Sequence, residues 1–333
     1  MKEPAVHVAT ESAFSANAQA IYGLRDHLQT RILGQAELVD RLLIALLADG
    51  HLLVEGAPGL AKTTAIKELA TGLEADFQRL QFTPDLLPGD LTGTEVFRPQ
   101  SGEFHFQPGP LFHNLILADE INRAPAKVQS ALLEAMAERQ ITVGGKTYTL
   151  ADPFLVMATQ NPIEQEGTYP LPEAQLDRFL MYVRIGYPSA GTERAILELA
   201  RRNEGRGIER APVQITRAQL FAAREEVRRL HMAAAVEEYL IQLVLATRSP
   251  GAYVSELERW VTFGASPRAT IALDRYARAH AWLRGSDYVS PADVQAVAPD
   301  VLRHRVLVSY EAEAEGVTPD HVVSTLLAQV PVA

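Results

Sequence analysis

The chain has 333 residues, more than one hydrophobic core usually accommodates, so two domains are expected. It is 47% hydrophobic and 22% charged, as ordinary globular proteins are, and its net charge of −10 argues against a surface that coats nucleic acid, although a local basic channel remains compatible with an acidic whole. The absence of cysteine excludes disulfides, thiolate metal sites and cysteine nucleophiles.

Residues 1–15 read as a leader, with no basic patch joined to a long apolar stretch, so no signal peptide is expected. A helical pattern covers 16–30, breaks at Ile32-Leu33-Gly34-Gln35 and resumes over 36–48. The longest apolar run, 42–48, is far too short to span a bilayer, which points to a soluble cytoplasmic protein. Strands and helices then alternate. Strands are expected over 52–54, 77–82, 115–118, 154–159 and 181–185, and helices over 63–72 and 127–138. The run at 115–118 is continuously apolar and that at 154–159 is apolar up to Thr159, as strands buried on both faces are. Such alternation implies an α/β fold, a five-stranded parallel sheet between helices. Between the 127–138 helix and the 154–159 strand, residues 139–150 alternate around Gly144-Gly145 and predict a β-hairpin. After Tyr187-Pro188 the periodicity is helical, over 217–231, 236–247, 267–283, 291–298 and 319–329, and Pro188, Gly205, Gly207 and Pro212 punctuate the join. The expected organisation is an α/β domain over 16–189, a linker over 190–212 and a smaller all-helical domain over 213–333.

Residues 56–63 read Gly-Ala-Pro-Gly-Leu-Ala-Lys-Thr, directly after a strand and opening a helix. That is the context a phosphate-binding loop needs, because backbone N–H groups of the loop and the helix N-terminus can point at phosphates. Gly56, Ala57, Pro58, Gly59, Leu60, Ala61, Lys62, Thr63 and Thr64 are therefore the candidate residues for ATP or ADP. Lys62 would meet the β- and γ-phosphates, and the Thr63 hydroxyl would meet Mg²⁺. Ala61 stands where the general pattern has glycine. At a helix start, alanine is expected to take up helical dihedrals there. Taken alone, the segment also resembles an ordinary Gly/Pro loop ahead of a helix.

The run Leu115-Ile116-Leu117-Ala118-Asp119-Glu120 ends a buried strand in two acids. At the carboxyl end of such a strand Asp119 would hold Mg²⁺ and Glu120 would act as general base on water. By itself this pair reads more readily as a solvated strand end. Asn161, after the next buried strand, would orient the water or touch the γ-phosphate. The order of loop, acidic strand end and amide strand end makes each piece support the others.

These blocks, with Leu117-Ala118-Asp119-Glu120-Ile121-Asn122-Arg123-Ala124-Pro125 and Leu171-Pro172-Glu173-Ala174-Gln175-Leu176-Asp177-Arg178-Phe179, resemble the signatures of MoxR-family AAA+ ATPases, in the helix-2-insert branch related to magnesium chelatase ATPase subunits. The resemblance covers essentially the whole chain, and the family commonly has alanine before the P-loop lysine. It implies that the helical domain is a lid, that Arg178 is an arginine finger acting on a neighbouring subunit's ATP, and that Arg268, in Ser266-Pro267-Arg268, is the sensor-2 arginine. Arg123 is a second candidate for the trans-acting role, and whether Arg268 acts in cis or in trans stays open. Arg178 paired only with Asp177 or Glu173 is the structural alternative. Gln35 falls where the family flanks adenine, through side chain or backbone. Residues 84–110 resemble the helix-2 insert, and the hairpin the pre-sensor-1 hairpin.

The resemblance further implies a ring of six, and Mg²⁺-dependent hydrolysis that remodels or matures a client beside a partner with a von Willebrand factor A domain. A nucleotide-gated scaffold that rarely hydrolyses is the alternative. A nucleic-acid motor is a weaker one, because residues 84–110 carry Arg98 and no lysine and the hairpin adds Arg139 and Lys146.

Overall fold

Apolar runs of four to six residues alternate with amphipathic helices along the first half of the chain, and this pattern builds a layered α/β module. The computed structural model describes residues 15–162, 167–203 and 214–332. Most of the expected leader, and the punctuating residues Gly205, Gly207 and Pro212, lie outside that range.

In chain order the module contains α1 (Ala16–Arg31), α2 (Ala36–Leu47), β1 (Leu52–Glu55), α3 (Lys62–Thr71), β2 (Phe77–Gln81), α4 (Pro88–Thr92), β3 (Gly93–Arg98), β4 (Glu103–Pro108), β5 (Leu115–Asp119), α5 (Ala126–Glu138), β6 (Gln140–Val143), β7 (Lys146–Thr149), β8 (Leu155–Gln160), α6 (Glu173–Leu176) and β9 (Met181–Arg184). Five of these strands form one parallel sheet in the order β2-β5-β8-β1-β9. The register sets Ala118 beside Ala158 and Val54 beside Thr159, so the strand ends at 119–120 and 160–161 meet at one edge beside the β1 exit.

Side chains alternate between two apolar layers, as a sheet covered on both faces requires. Leu52, Val54, Leu115, Leu117 and Met157 join α1, α2 and α3 on one side, and Leu53, Ile116, Ala118, Val156 and Ala158 join α5 and the insert on the other. The expected hairpin is present as β6 and β7. The insert is more ordered than its Pro- and Gly-rich sequence indicates. It folds as α4 and a second hairpin, β3–β4, in which Phe97 faces Phe104 across the strands. Its Phe106 stacks on Tyr148 of the other hairpin at 4.2 Å between centroids.

The second half contains α7 (Ala190–Asn203), α8 (Arg217–Arg229), β10 (His231–Met232), α9 (Ala234–Arg248), α10 (Leu257–Trp260), β11 (Val261–Phe263), α11 (Pro267–Leu283), β12 (Tyr288–Val289), α12 (Pro291–Leu302), β13 (Leu307–Val308), α13 (Tyr310–Ala314) and α14 (Pro319–Gln329). It is helical as expected, with two small strand pairs, β10–β12 and β11–β13, too short to show a period in sequence. The span expected to be linker is a helix, α7, over its first part; Glu193 in its first turn and Arg201 and Arg202 in its last suit the helix dipole. Side chains of α8, α9, α11, α12 and α14 share the apolar layer of α1 and α2. Among the described residues no helix is long and apolar enough to cross a membrane.

Candidate functional site

The loop between β1 and α3 shows why its glycines are needed. Gly59 has φ +83°, and a Cβ on Gly56 would lie 2.4 Å from the Ile185 side chain. Ala61 corrects the expectation drawn from sequence. The helix begins at Lys62, and Ala61 is its N-cap in the left-handed region, at φ 58° and ψ 16°. Alanine is held in a conformation that favours glycine, so the departure from the general motif changes the side chain without changing the backbone path.

The loop, the β5 end and the β8 end enclose a cavity of about 370 Å³, lined by residues 58–64 together with Arg79, Asp119, Glu120 and Asn161. Gly56 and Ala57 are buried at the strand exit, and the Gly56 carbonyl accepts a hydrogen bond from Lys62 Nζ. Burial pulls the Lys62 ammonium below the ordinary lysine range, while the charges of Asp119, Glu120 and Glu55 pull the other way. The predicted lysine and the predicted acids therefore share one field.

Glu120 is also left-handed, at φ 57° and ψ 50°. For a non-glycine residue this costs on the order of 1–3 kcal/mol and persists where neighbours impose it. Here the neighbour is Thr159: its Oγ1 accepts from the Glu120 N–H at 2.9 Å and donates to Asp119 Oδ1 at 2.6 Å. Asp119 Oδ2 takes a two-pronged contact from Arg79, at 2.7 and 3.1 Å. Glu120 Oε2 accepts from Gln81 at 2.7 Å and lies 3.2 Å from Arg123 Nε. Arg79, Gln81 and Thr159 were not among the residues singled out from sequence for this chemistry. The signal for the first two is their place at alternate positions of β2, the strand beside the acidic one.

The remaining candidates lie elsewhere. Gln35, the N-cap position of α2, is buried, and its amide nitrogen donates to the Gly186 carbonyl at 3.1 Å. One of its two side-chain N–H groups is thus committed to the segment after β9. Arg178 and Arg268 do not line the P-loop cavity. They line a second cavity of about 310 Å³ together with Asp49, His51, Arg139 and Asp177. Arg178 donates to the Leu133 carbonyl on α5 at 2.8 Å. Asp177, the neighbour proposed as its structural partner, is engaged instead by Arg305, Ser266 and Arg268. Within one chain the phosphate loop and the two arginines therefore face different cavities.

The model of the ATPase family associated with various cellular activities (AAA) matches residues 51–181, and that of the AAA lid domain matches residues 257–326. The chain is 47% identical to the protein named Chaperone MoxR1 of Mycobacterium tuberculosis over 90% of this chain and 78% of the relative. It is 32% identical to Protein MoxR of Methylorubrum extorquens, over 87% of this chain and 88% of that one. A crystal structure of a protein from Cytophaga hutchinsonii superposes with a TM-score of 0.88 at 45% identity, covering 95% of this chain and 96% of the other.

Proposed function

The chain belongs to the MoxR family of AAA+ ATPases, and on that premise we propose that it hydrolyses ATP at the P-loop cavity and uses the cycle to remodel a partner protein. The observation that carries the reading is the convergence of Lys62, Thr63, Asp119, Glu120 and Asn161 on a single cavity.

The backbone N–H groups of residues 59–64, which include the α3 N-terminus, receive the phosphates, and Lys62 turns from the Gly56 carbonyl to the β- and γ-oxygens. Glu120 accepts the proton of the attacking water, and Asn161 orients that water. Thr63 and Asp119 fit Mg²⁺, which prefers one or two carboxylates plus substrate phosphates to an all-protein cage. Among the described residues no group of three or more His, Asp or Glu side chains offers such a cage. When bound, the ion neutralises charge on the transferred phosphate. Gln81 and Arg123 hold Glu120 in the present arrangement, which favours slow turnover until an incoming group releases it.

That Arg178 and Arg268 line a cavity other than the P-loop's supports a role for both at the ATP of a neighbouring subunit. Repeated head-to-tail contacts of that kind close into a ring, here of six. The two stacked hairpins carry the motion to the client, beside a von Willebrand factor A domain partner. The printed name of the Mycobacterium relative, a chaperone, supports this part of the reading.

Glu120→Gln tests the chemistry. It should bind ATP while phosphate release falls on the order of a hundredfold or more. Near-normal turnover would remove Glu120 as the base. The same ATP-locked variant, used as bait with mass spectrometry, should retain a protein with a von Willebrand factor A domain.

A further inference from the structure

The tripeptide that follows α12 reaches across to the segment carrying Arg178. Arg303 Nη1 donates to the Tyr182 carbonyl at 3.0 Å. His304 Nε2 is 2.9 Å from the Phe179 carbonyl. The Arg305 side chain, only 1% exposed, goes furthest. Its Nε donates to Asp177 Oδ1 at 2.7 Å, its Nη2 to the carbonyls of Asp177 and Phe179 at 3.2 and 2.9 Å, and its Nη1 to those of Leu180 and Val301 at 3.3 and 2.5 Å. On the other side of the same segment, the Leu180 N–H donates to the His51 carbonyl at 3.2 Å.

Two features single Arg305 out. A guanidinium has a rigid fork of five donor hydrogens, and here the fork reads the backbone path of 177–180 as well as one carboxylate. That carboxylate, Asp177, also accepts from Ser266 Oγ at 2.9 Å and lies 3.5 Å from Arg268 Nη1. One buried cation therefore fixes the residue that precedes Arg178 and, through Asp177, the residue that carries the second arginine of the same cavity.

We propose that Arg305 is a positioning residue for the trans-acting arginine pair: it locks the end of α12 to the 177–180 segment, so that Arg178 and Arg268 are presented together to the neighbouring subunit's nucleotide. The proposal rests on the reading of Arg178 as a finger in trans. Arg305 itself is too deeply covered to touch that nucleotide. Its effect passes through placement, and a displacement of about 1 Å at a reacting group costs on the order of a hundredfold in rate.

Subunit mixing tests it, because each variant is defective at one side of the interface only. Arg305→Gln alone should keep its own nucleotide affinity and its ring, with kcat lower by on the order of a hundredfold and KM little changed. Mixed with Lys62→Ala, which contributes an intact arginine face, it should regain activity. Mixed with Arg178→Ala, it should regain none, since both are defective on the same face. Asp177→Asn, which keeps the shape and removes the charge, should give the same pattern by a route that spares the buried guanidinium. Normal kcat in Arg305→Gln and Asp177→Asn rings would overturn the proposal. So would failure of Asp177→Asn to be rescued by Lys62→Ala in rings where Arg178→Ala is rescued. If Arg178→Ala itself gains nothing from Lys62→Ala in demonstrably mixed rings, the finger assignment falls and the proposal with it.

Discussion

Replacing Ala61 by glycine tests the backbone of the phosphate loop through the sign of a stability change. Ala61 stands at φ 58° and ψ 16°, immediately before α3. A left-handed alanine costs about 1–2 kcal/mol relative to its right-handed form, and glycine escapes that cost. The greater freedom of glycine in the unfolded chain offsets about 0.4–1 kcal/mol of the gain. Ala61→Gly should therefore be neutral to stabilising, by up to about 1.5 kcal/mol. Had Ala61 taken helical dihedrals, as its position at a helix start first implies, the same change would cost about 0.5–1 kcal/mol. Urea unfolding of the nucleotide-free protein reads the difference from the midpoint at constant slope. A loss near 1 kcal/mol would refute the left-handed assignment and the account of how alanine replaces glycine in this loop.

Acid sensitivity should trace to buried histidine. His51 accepts the Val156 N–H at Nδ1, at 3.0 Å, and burial, with the nearby Arg139 charge, lowers its pKa from 6.5 to about 3. The unfolded chain then binds the proton first, so stability should fall as pH drops below about 6.5 and go on falling toward pH 3, with a slope of about 1.4 kcal/mol per pH unit from this residue. His304, held low by burial as well, steepens the fall. His51→Gln should make the slope shallower, measured by urea unfolding across the pH series; an unchanged slope would contradict the assignment. Arg224, buried, donates to the Leu46 carbonyl at 2.9 Å and pairs with Asp49 and Asp152 at 3.0 and 3.4 Å. Arg224→Met should cost about 1–3 kcal/mol, chiefly because the Leu46 carbonyl loses its buried donor, while Asp49 and Asp152 stay open to solvent; an unchanged stability would contradict this.

Sequence alone carried the sheet and the chemistry at its edge. The strands at 115–119 and 155–160 are apolar runs with polar ends, and the parallel register then brings Asp119, Glu120 and Asn161 together. Period and motif are enough for that. The left-handed Ala61 is not legible in sequence, because a residue name does not report its dihedrals and the residue before a helix start admits either hand. Arg79 and Gln81 carry no local signal, because strand pairing and not spacing along the chain sets them against the acids. The insert is legible in sequence as a segment and not as a hairpin; its glycines fall at the start of β3, in the turn and after β4. Arg305 lies 128 residues from Asp177, and no local pattern announces a contact at that separation. The helix α7 reads as linker in sequence because Pro188, Gly205 and Gly207 flank it and outweigh the pattern between them.

Nucleotide titration of the wild-type protein against Lys62→Ala, with magnesium present, bears most directly on the site. Among the described residues, Lys62 is the one lysine on the wall of the cavity it shares with Asp119 and Glu120. The wild type should bind ATP saturably and the variant should show no measurable binding while keeping its fold by circular dichroism. Equal affinity in the two proteins would contradict the placement of ATP at this loop, and the assignment of Asp119, Glu120 and Asn161 would fall with it.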